Sequence, residues 1–458
     1  MNTPHHQPLD ELRARLDAAV PELLAEHRIP GTAIGVTLDG RTLTAGYGVT
    51  NVRHPLPVDA HTLFQVGSIS KTLLGAVIGR LLERGELELD APVAPLFAPD
   101  AGIDPRITLR HVITHTSGID AQNMIADAPR ILAGGTDDSI QASLRHFIEQ
   151  PLMFEPGSDF TYSGPGIMVA AATVERATGR RYAELLRELV IEPAGMELTC
   201  TTADEAIFHR VAAPHGRDAA RAPELLVDRG WQRHWQLPGW DVPGGGVVSN
   251  VTDLLHYAAW SASEAAPARL FEPLAGQGVD GHDIGLAWHL SHTGGHPTMS
   301  HNGLTIGYAS RLVLVPSAGL AYTVLTNSLH GEEIVGEVEK LVLEAAGIEV
   351  TPQAARPVPA ELAEALQGTY DCGFYGTISV VPGERPGEVA VVAHAARPEE
   401  GQYVIELEGA DRAVLAGPDT LVTLSPDGTP GSLVGFVRED DGTVSAVRYH
   451  GRLDRRTA

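Results

Sequence analysis

Apolar residues recur at helical spacing near the start of the chain. Leu12, Leu16, Ala19, Val20, Leu23 and Leu24 predict an amphipathic helix over 9–27, despite Pro21, ending before Pro30-Gly31. Two alternating runs follow at 32–38 and 42–47, and Asp39-Gly40 between them predicts a hairpin, because a two-residue Asp-Gly turn suits strand twist. The period then turns helical again. Leu73, Leu74, Val77, Ile78, Leu81 and Leu82 predict a helix over 70–84 with Gly85 at its C-terminal cap. Helices are expected also over 166–177, 181–190 and 251–262. Residues 309–315 and 320–326 flank Pro316-Ser317-Ala318-Gly319 as an antiparallel pair, and a last helix covers 332–346. Strands at both ends with helices between predict a sheet whose outer strands come from opposite ends of the chain, packed against a helical cluster.

After residue 350 the pattern changes. Residues 351–359, TPQAARPVP, are proline-rich and without period, as an inter-domain linker is. Beyond them, short period-two runs at 376–381, 388–393, 403–407, 421–424, 433–437 and 444–449 are separated by Gly, Pro and Asp, the spacing of an all-β unit. The expected division is a mixed unit over 1–350, a linker over 351–359 and a small β-barrel over 360–458.

The chain's 458 residues leave room for two or three domains, and 43% hydrophobic with 20% charged residues is ordinary globular usage, which excludes a disordered or fibrous chain. A net charge of −25 repels phosphate backbones and anionic lipids, and no long Lys/Arg run offsets it. Nucleic acid and membrane are therefore not expected partners. Arg180 with Arg181, and Arg452, Arg455 and Arg456, read as solvated surface. Cys200 and Cys372 lie far apart in different units, so no disulfide framework is expected. The first residues lack the basic and apolar regions of a secretory signal, and no apolar stretch approaches the ~20 residues of a membrane span; a cytoplasmic protein is the expectation.

Candidate chemistry begins at Phe64-Gln65-Val66-Gly67-Ser68-Ile69-Ser70-Lys71-Thr72. A serine and a lysine three apart share one helix face. A hydroxyl is a weak nucleophile near neutral pH, and a buried lysine whose charge is disfavoured by desolvation can accept its proton. Alone, SxxK arises by chance in many helices. Phe160-Thr161-Tyr162-Ser163-Gly164 follows a turn at Phe154-Glu155-Pro156-Gly157 and leads into the helix near Pro165; Tyr162 there can act as base or proton shuttle beside a cation, where a lone tyrosine would be packing. Ser300-His301-Asn302-Gly303-Leu304 precedes the strand pair, with Gly303 allowing close backbone approach. A cationic or hydrogen-bonding His301 can contact a substrate carboxylate or assist Tyr162; the plainer alternative is a satisfied surface histidine.

Other signals carry less. His111 and His115 stand at i, i+4, but Val112 breaks the HExxH of a zinc site, and they fit better as structural residues. His289, His292, His296 and His301 show no ligand spacing, and Gly244 to Gly246 lacks the Lys-Ser/Thr of a phosphate loop. Trp231, Trp235, Trp240 and Trp288 can line a cleft, although core packing is the commoner fate of tryptophan.

SxxK on a first core helix, a tyrosine on a central loop and HxG on a returning strand, in that order, resemble the serine β-lactamase and penicillin-binding protein superfamily, in its branch of class C β-lactamases, D-amino-acid peptidases and family VIII-type carboxylesterases. Residues 107–118 (ITLRHVITHTSG), 192–196 (EPAGM) and 243–249 (PGGGVVS) are similar to that branch too. The resemblance covers residues 10 to 345, and Leu366-Gln367-Gly368-Thr369-Tyr370 resembles the entry to a lipocalin-like C-terminal domain. It implies an α/β (α+β) fold: a β-lactamase/transpeptidase-like antiparallel sheet flanked by helices, an all-helical subdomain, and a small lipocalin-like β-barrel.

The resemblance also implies roles. Ser68 is the acylated nucleophile, Lys71 its activator, Tyr162 the relay to the leaving group, and His301 holds the place of lysine in a KTG motif. The oxyanion hole is formed by the N–H groups of Ser68 and Leu304; Gly164, Asn302, Gly303, Leu304 and Trp288 are the substrate-binding candidates. No metal or organic cofactor is called for. One position departs: the second motif is commonly YxN, and here Gly164 replaces the Asn amide that holds the acyl-side amide of the substrate. That argues against efficient β-lactam hydrolysis and towards esters, thioesters or D-configured peptides. The resulting expectation is a serine acyl hydrolase acting on a small molecule or peptide. One alternative is a penicillin-binding-protein-type thioesterase or peptide cyclase of natural-product biosynthesis; another is a non-catalytic or slowly acylating binding protein. Self-association as a homo-oligomer is left open.

Overall fold

The computed structural model describes residues 7–99, 101–120, 139–144, 148, 151–217, 220, 222–226, 235, 237–350, 356–371, 376–394, 409–424, 428 and 430–457. The longer helices are α1 (Gln7–Glu26), α2 (Ser70–Glu83), α3 (Gly164–Thr178), α4 (Val251–Ser261) and α5 (Glu332–Ala345). An antiparallel sheet lies between them, built from β1 (Gly31–Leu38), β2 (Arg41–Gly48), β3 (Ala275–Gly276), β4 (Asp283–Ile284), β5 (His289–Thr293), β6 (His296–Thr305), β7 (Tyr308–Val315) and β8 (Leu320–Thr326). Its spatial order is β2-β1-β8-β7-β6-β5-β4-β3.

That order corrects one expectation. The first and last strands are not opposite edges but partners, from Thr32 facing Thr326 to Leu38 facing Leu320. Seven of the eight β1 residues are buried, and a strand buried on both faces is best placed inside a sheet. The edges are β2 and the two-residue β3. The predicted 181–190 helix also differs, running α-helical over Tyr182–Leu186 and then widening into a π turn over Arg187–Ile191.

Leu12, Leu16, Val20 and Leu24 of α1 bury one side chain per turn, and with Ile334, Val338 and Val342 of α5 they cover one face of the sheet. On the other face α2, α3 and α4 share the larger core, including Leu73, Val77, Val169, Leu254 and Leu312. At about 1.5–3 kcal/mol for each fully buried aliphatic side chain, this face contributes most of the burial free energy. Helix α2 lies within it, with every residue from Ser70 to Gly79 buried.

The C-terminal unit is a closed eight-stranded barrel: β9 (Gly368–Asp371), β10 (Thr377–Pro382), β11 (Val389–His394), β12 (Gly409–Gly417), β13 (Thr420–Leu424), β14 (Pro430–Arg438), β15 (Val444–Tyr449) and β16 (Arg452–Arg456). It closes where Tyr370 faces Arg456, and Tyr370, Ile378, Val391, Val434 and Phe436 belong to its core. The run expected at 403–407 lies outside the described residues. Arg356 and Leu415 exchange backbone hydrogen bonds of 2.9 Å, tying the end of the proline-rich segment to the barrel. Cys200 is a buried free thiol that burial pushes up to about 12, hence unreactive; Cys372 is outside the described residues. Among the described residues, no helix is long and apolar enough to cross a membrane.

Candidate active site

Ser68 lies in a 3₁₀ turn, Gly67–Ile69, that runs directly into α2. Neighbouring strands fix this turn: Val66 N–H donates to Val247 O at 3.0 Å, and Ser310 Oγ donates to Val66 O at 2.8 Å. Gly67 has φ +53°, and a Cβ there would lie 2.8 Å from the Leu304 nitrogen. A Cβ on Gly303 would fall 2.0 Å from Val66 O. Backbone therefore meets backbone between the serine turn and β6, which only glycine at both positions allows. The consequence is that the amide of Leu304 sits beside the turn that carries Ser68.

Lys71 stands one helical turn on, and its Nζ donates to Ser68 Oγ at 2.9 Å and to Gly244 O at 2.5 Å. Only 4% of the residue is exposed. In its amine form Lys71 can keep the Gly244 bond and still offer a lone pair to the serine hydroxyl.

Tyr162 arrives from another direction, its ring centre 5.2 Å from Lys71 Nζ. It precedes α3, whose first turn is capped by Ser163 accepting from Gly166 N–H at 3.1 Å. Two neighbours clasp this segment. Thr161 N–H donates to His115 O at 3.0 Å on one side, and Tyr162 N–H donates to Gly451 O at 2.8 Å on the other. Gly451 belongs to the turn of the last barrel hairpin, where His450 and Gly451 have φ +48° and +75°, as a tight two-residue hairpin turn requires. Leu453 N–H donates to Thr161 Oγ1 at 3.1 Å, Arg448 Nε donates to Phe160 O at 3.2 Å, and Arg448 pairs with Asp159. The Arg452 guanidinium lies 5.9 Å from the Tyr162 ring centre.

Of the C-terminal arginines Arg455 is exposed as expected, whereas Arg452 and Arg456 are half-buried. Arg452 packs by Tyr162, Arg455 donates to Met153 O and Arg456 to Gln367 O.

Three imidazoles surround the Tyr162 ring, with centre distances of 4.5 Å for His115, 6.2 Å for His301 and 6.3 Å for His289. Burial holds His115 and His301 well below the ordinary histidine range, and Lys71 adds to the effect. Burial, then Arg311, draws His289 down to about 4. His115 Nδ1 accepts from Ser163 N–H at 3.1 Å, so its proton is on Nε2. His301 Nδ1 is 2.6 Å from Asn302 O, which only accepts; the proton is therefore on Nδ1, and the Nε2 lone pair is left without a partner. The cationic alternative for His301 gives way to a neutral, hydrogen-bonding ring.

The remaining candidates divide. His301 and Gly303 lie within β6, the strand that precedes the β7–β8 pair as expected, opposite Leu312 and Ser310. Asn302 is exposed and accepts from Arg311. Gly164 is the first residue of α3. Trp288 does not face the site: it is fully buried between Tyr257 and Phe271, because a flat apolar ring gains more from the core than from a wet cleft. Trp240 is buried as well, Trp235 Nε1 donates to Tyr308 OH at 2.7 Å, and Trp231 is outside the described residues. His111 is structural, accepting from Thr108 N–H at 3.2 Å. Among the described residues no cluster could hold a metal ion.

Sequence reasoning missed His115 as a neighbour of Tyr162, the carbonyl of Gly244, the barrel hairpin, and Asp241. The last is buried, with Oδ1 unpartnered, and burial pushes it up to about 7 against the pull of Lys71. The THTSG segment and residues 243–249, which hold Gly244, carried a local signal; Asp241 and the barrel hairpin enter by long-range packing.

Residues 16–347 match the Beta-lactamase family. "Penicillin-binding protein 4" of Amycolatopsis lactamdurans is 27% identical over 379 residues, 76% of this chain and 95% of that protein. A "D-aminopeptidase" of Gluconobacter oxydans is 26% identical over 452 residues, 92% of this chain and 81% of its own length. A crystal structure of SurE with D-Leu is similar in fold, with a TM-score of 0.66 at 23% identity, covering 98% of this chain and 100% of that one. With a family match that runs from α1 through the serine turn to the end of α5, the chain belongs to the beta-lactamase family and is a serine hydrolase.

Proposed function

We propose that the protein is an acyl hydrolase that works through an acyl-enzyme on Ser68, taking an ester or amide of a D-amino acid or D-residue peptide. The observation that carries this reading is the 2.9 Å contact between Lys71 Nζ and Ser68 Oγ, with the Tyr162 ring centre 5.2 Å from the same Nζ. Ser68 Oγ attacks the carbonyl carbon while Lys71, as an amine, takes the hydroxyl proton. Charge on the carbonyl oxygen is received by the N–H groups of Ser68 and Leu304, with the N-terminal end of α2 favouring negative charge there. Tyr162 gives its hydroxyl proton to the leaving alcohol or amine and takes back the one held by Lys71, and His301 Nε2 accepts a hydrogen bond from the Tyr162 hydroxyl or from substrate. Water then attacks the ester of Ser68, giving the acid and restoring the hydroxyl. The names of the relatives, a D-aminopeptidase and a protein crystallised with D-Leu, support the D-configured class.

The proposed division is a catalytic unit over 1–350, a linker over 351–359 and a barrel over 360–458 whose last hairpin walls the Tyr162 side. The proposed location is the cytoplasm, in keeping with two cysteines and no disulfide framework. A fluorophosphonate probe followed by peptide mass mapping tests the core of the reading: an adduct is expected on Ser68, and an unmodified Ser68 overturns it. Paired D- and L-alanine p-nitroanilides and esters test the substrate class; faster turnover of the L forms would remove the D-configured part alone.

A further inference from the structure

Asp241 is a buried carboxyl with one oxygen, Oδ1, left without a hydrogen-bond partner among the described residues. It ends the 3₁₀ turn Gly239–Asp241, which continues into the π turn Val242–Gly246. A buried polar atom left unpaired is disfavoured, and more so when it is charged. The backbone is shaped to admit it. A Cβ on Gly244 would lie 2.5 Å from Oδ1, and one on Gly245 would lie 3.4 Å from Oδ2. Any side chain at 244 would displace the carboxyl. The carbonyl of this same Gly244 accepts from Lys71 Nζ at 2.5 Å, so one glycine has the carboxyl against its α-carbon and the amine against its oxygen.

We propose that Asp241 is a positioning residue for acylation, a buried carboxyl whose charge state sets whether Lys71 is held as an ammonium or released as the amine that Ser68 needs. The proposal rests on the reading of Ser68 and Lys71 given above. Two ionisable groups packed against one glycine act on each other's charged form through space. An ionised Asp241 favours the ammonium, which has no lone pair for the serine proton; a protonated Asp241 withdraws that support, and Lys71 loses its proton to solvent more readily. Burial pushes Asp241 up to about 7, so its own charge changes in the neutral range.

The surroundings keep the pair isolated. Towards Asp241, Lys71 on α2 is the charged group acting on it. Met168 of α3, Leu237 and the short helix Ile140–Ser143 present nothing ionisable among the described residues. Towards Lys71 lie Tyr162 and three histidines, His115, His289 and His301, kept neutral by burial. Helix α3 opens at Gly164, which has no side chain to offer Lys71.

The chain has two lysines, Lys71 and Lys340, the latter exposed, so lysine labelled with ¹³C at Cε gives two signals that Lys340→Arg assigns. In Asp241→Asn the Lys71 signal is expected to titrate at least about one pH unit below wild type. The acid limb of kcat/KM on p-nitrophenyl acetate should move the same way, with KM little changed. An unmoved signal and an unmoved acid limb overturn the proposal. If Asp241→Asn does not fold, the wild-type titration decides: two inflections in the Lys71 signal are expected from a coupled pair, and a single one overturns it. Failure of the hydrolase reading is separable, since Ser68 would then take no adduct while the lysine titration still reports the coupling.

Discussion

The two sides of the active site are held by different means. Lys71 sits on a helix buried residue after residue, and the Ser68 turn that leads into it is fixed by backbone contacts to β6 and to Val247. Tyr162 sits on a segment clasped between the His115 loop and a hairpin from the barrel. Core packing thus sets the distance between nucleophile and base, whereas the shuttle depends on docking of a unit that follows it by almost 300 residues of chain. Segments held by few buried contacts open at lower free energy than a packed core. The tyrosine side should therefore yield first to perturbation, and the serine side last.

The largest effect tests the rigid side. Ser68→Ala should lower turnover by about 10⁴-fold or more with an unchanged melting temperature; residual turnover near wild type would place the nucleophile elsewhere. Tyr162→Phe should lower kcat by about 100-fold, and wild-type rates would contradict the relay. Arg448→Met sharpens the contrast, because Arg448 holds Phe160 O, Gly278 O and Asp159 at once. Losing its charged hydrogen bonds should cost about 2 kcal/mol and speed amide exchange over 159–163 while leaving 68–78 protected. Equal acceleration on both sides would show that they are one cooperative unit.

The same contrast explains what could be read from sequence. The serine helix, the Asp39-Gly40 hairpin and the five expected barrel runs that fall among the described residues depend on local period and turn chemistry, and they occur within a few residues of expectation. Ser68 and Lys71 needed only helix geometry to meet. His115, Asp241 and Gly451 reach the site through tertiary contacts, which no local pattern encodes. Trp288 misled for the same reason, since an aromatic residue carries no mark of which side of a core it will face. The pairing of β1 with β8 is long-range as well: nothing local in GTAIGVTL marks it as an inner strand.

Acid should separate the two sides by sign. His115 and His301 are held below their ordinary range, so the folded protein binds fewer protons than the unfolded chain below about pH 6.5. Their contribution is present above that pH and is lost as the pH falls, by about 1.4 kcal/mol per unit for each histidine. Asp241 runs the other way: its folded form keeps a proton up to about 7, so its contribution is present in acid and is lost as the pH rises towards neutrality. Urea midpoints from pH 7 to 5 should fall in wild type, fall less in His301→Asn, and fall more steeply in Asp241→Asn. Parallel curves for the three proteins would mean that these groups do not carry the pH dependence.

The smallest effect is expected where the two sides meet. Gly164 opens α3 two residues after Tyr162, and its lack of a side chain removes the amide that the YxN motif would supply. Gly164→Asn should leave the fold intact, because asparagine suits the first turn of a helix at least as well as glycine does. It should raise β-lactam turnover, measured with nitrocefin, by a factor of about 10 while p-nitrophenyl ester turnover stays level, since a donor placed for one substrate amide discriminates between substrates instead of assisting the serine. If nitrocefin turnover does not rise, the missing amide is not what limits β-lactam hydrolysis. The barrel hairpin, which narrows the tyrosine side and is untouched by this substitution, then becomes the feature that selects the substrate.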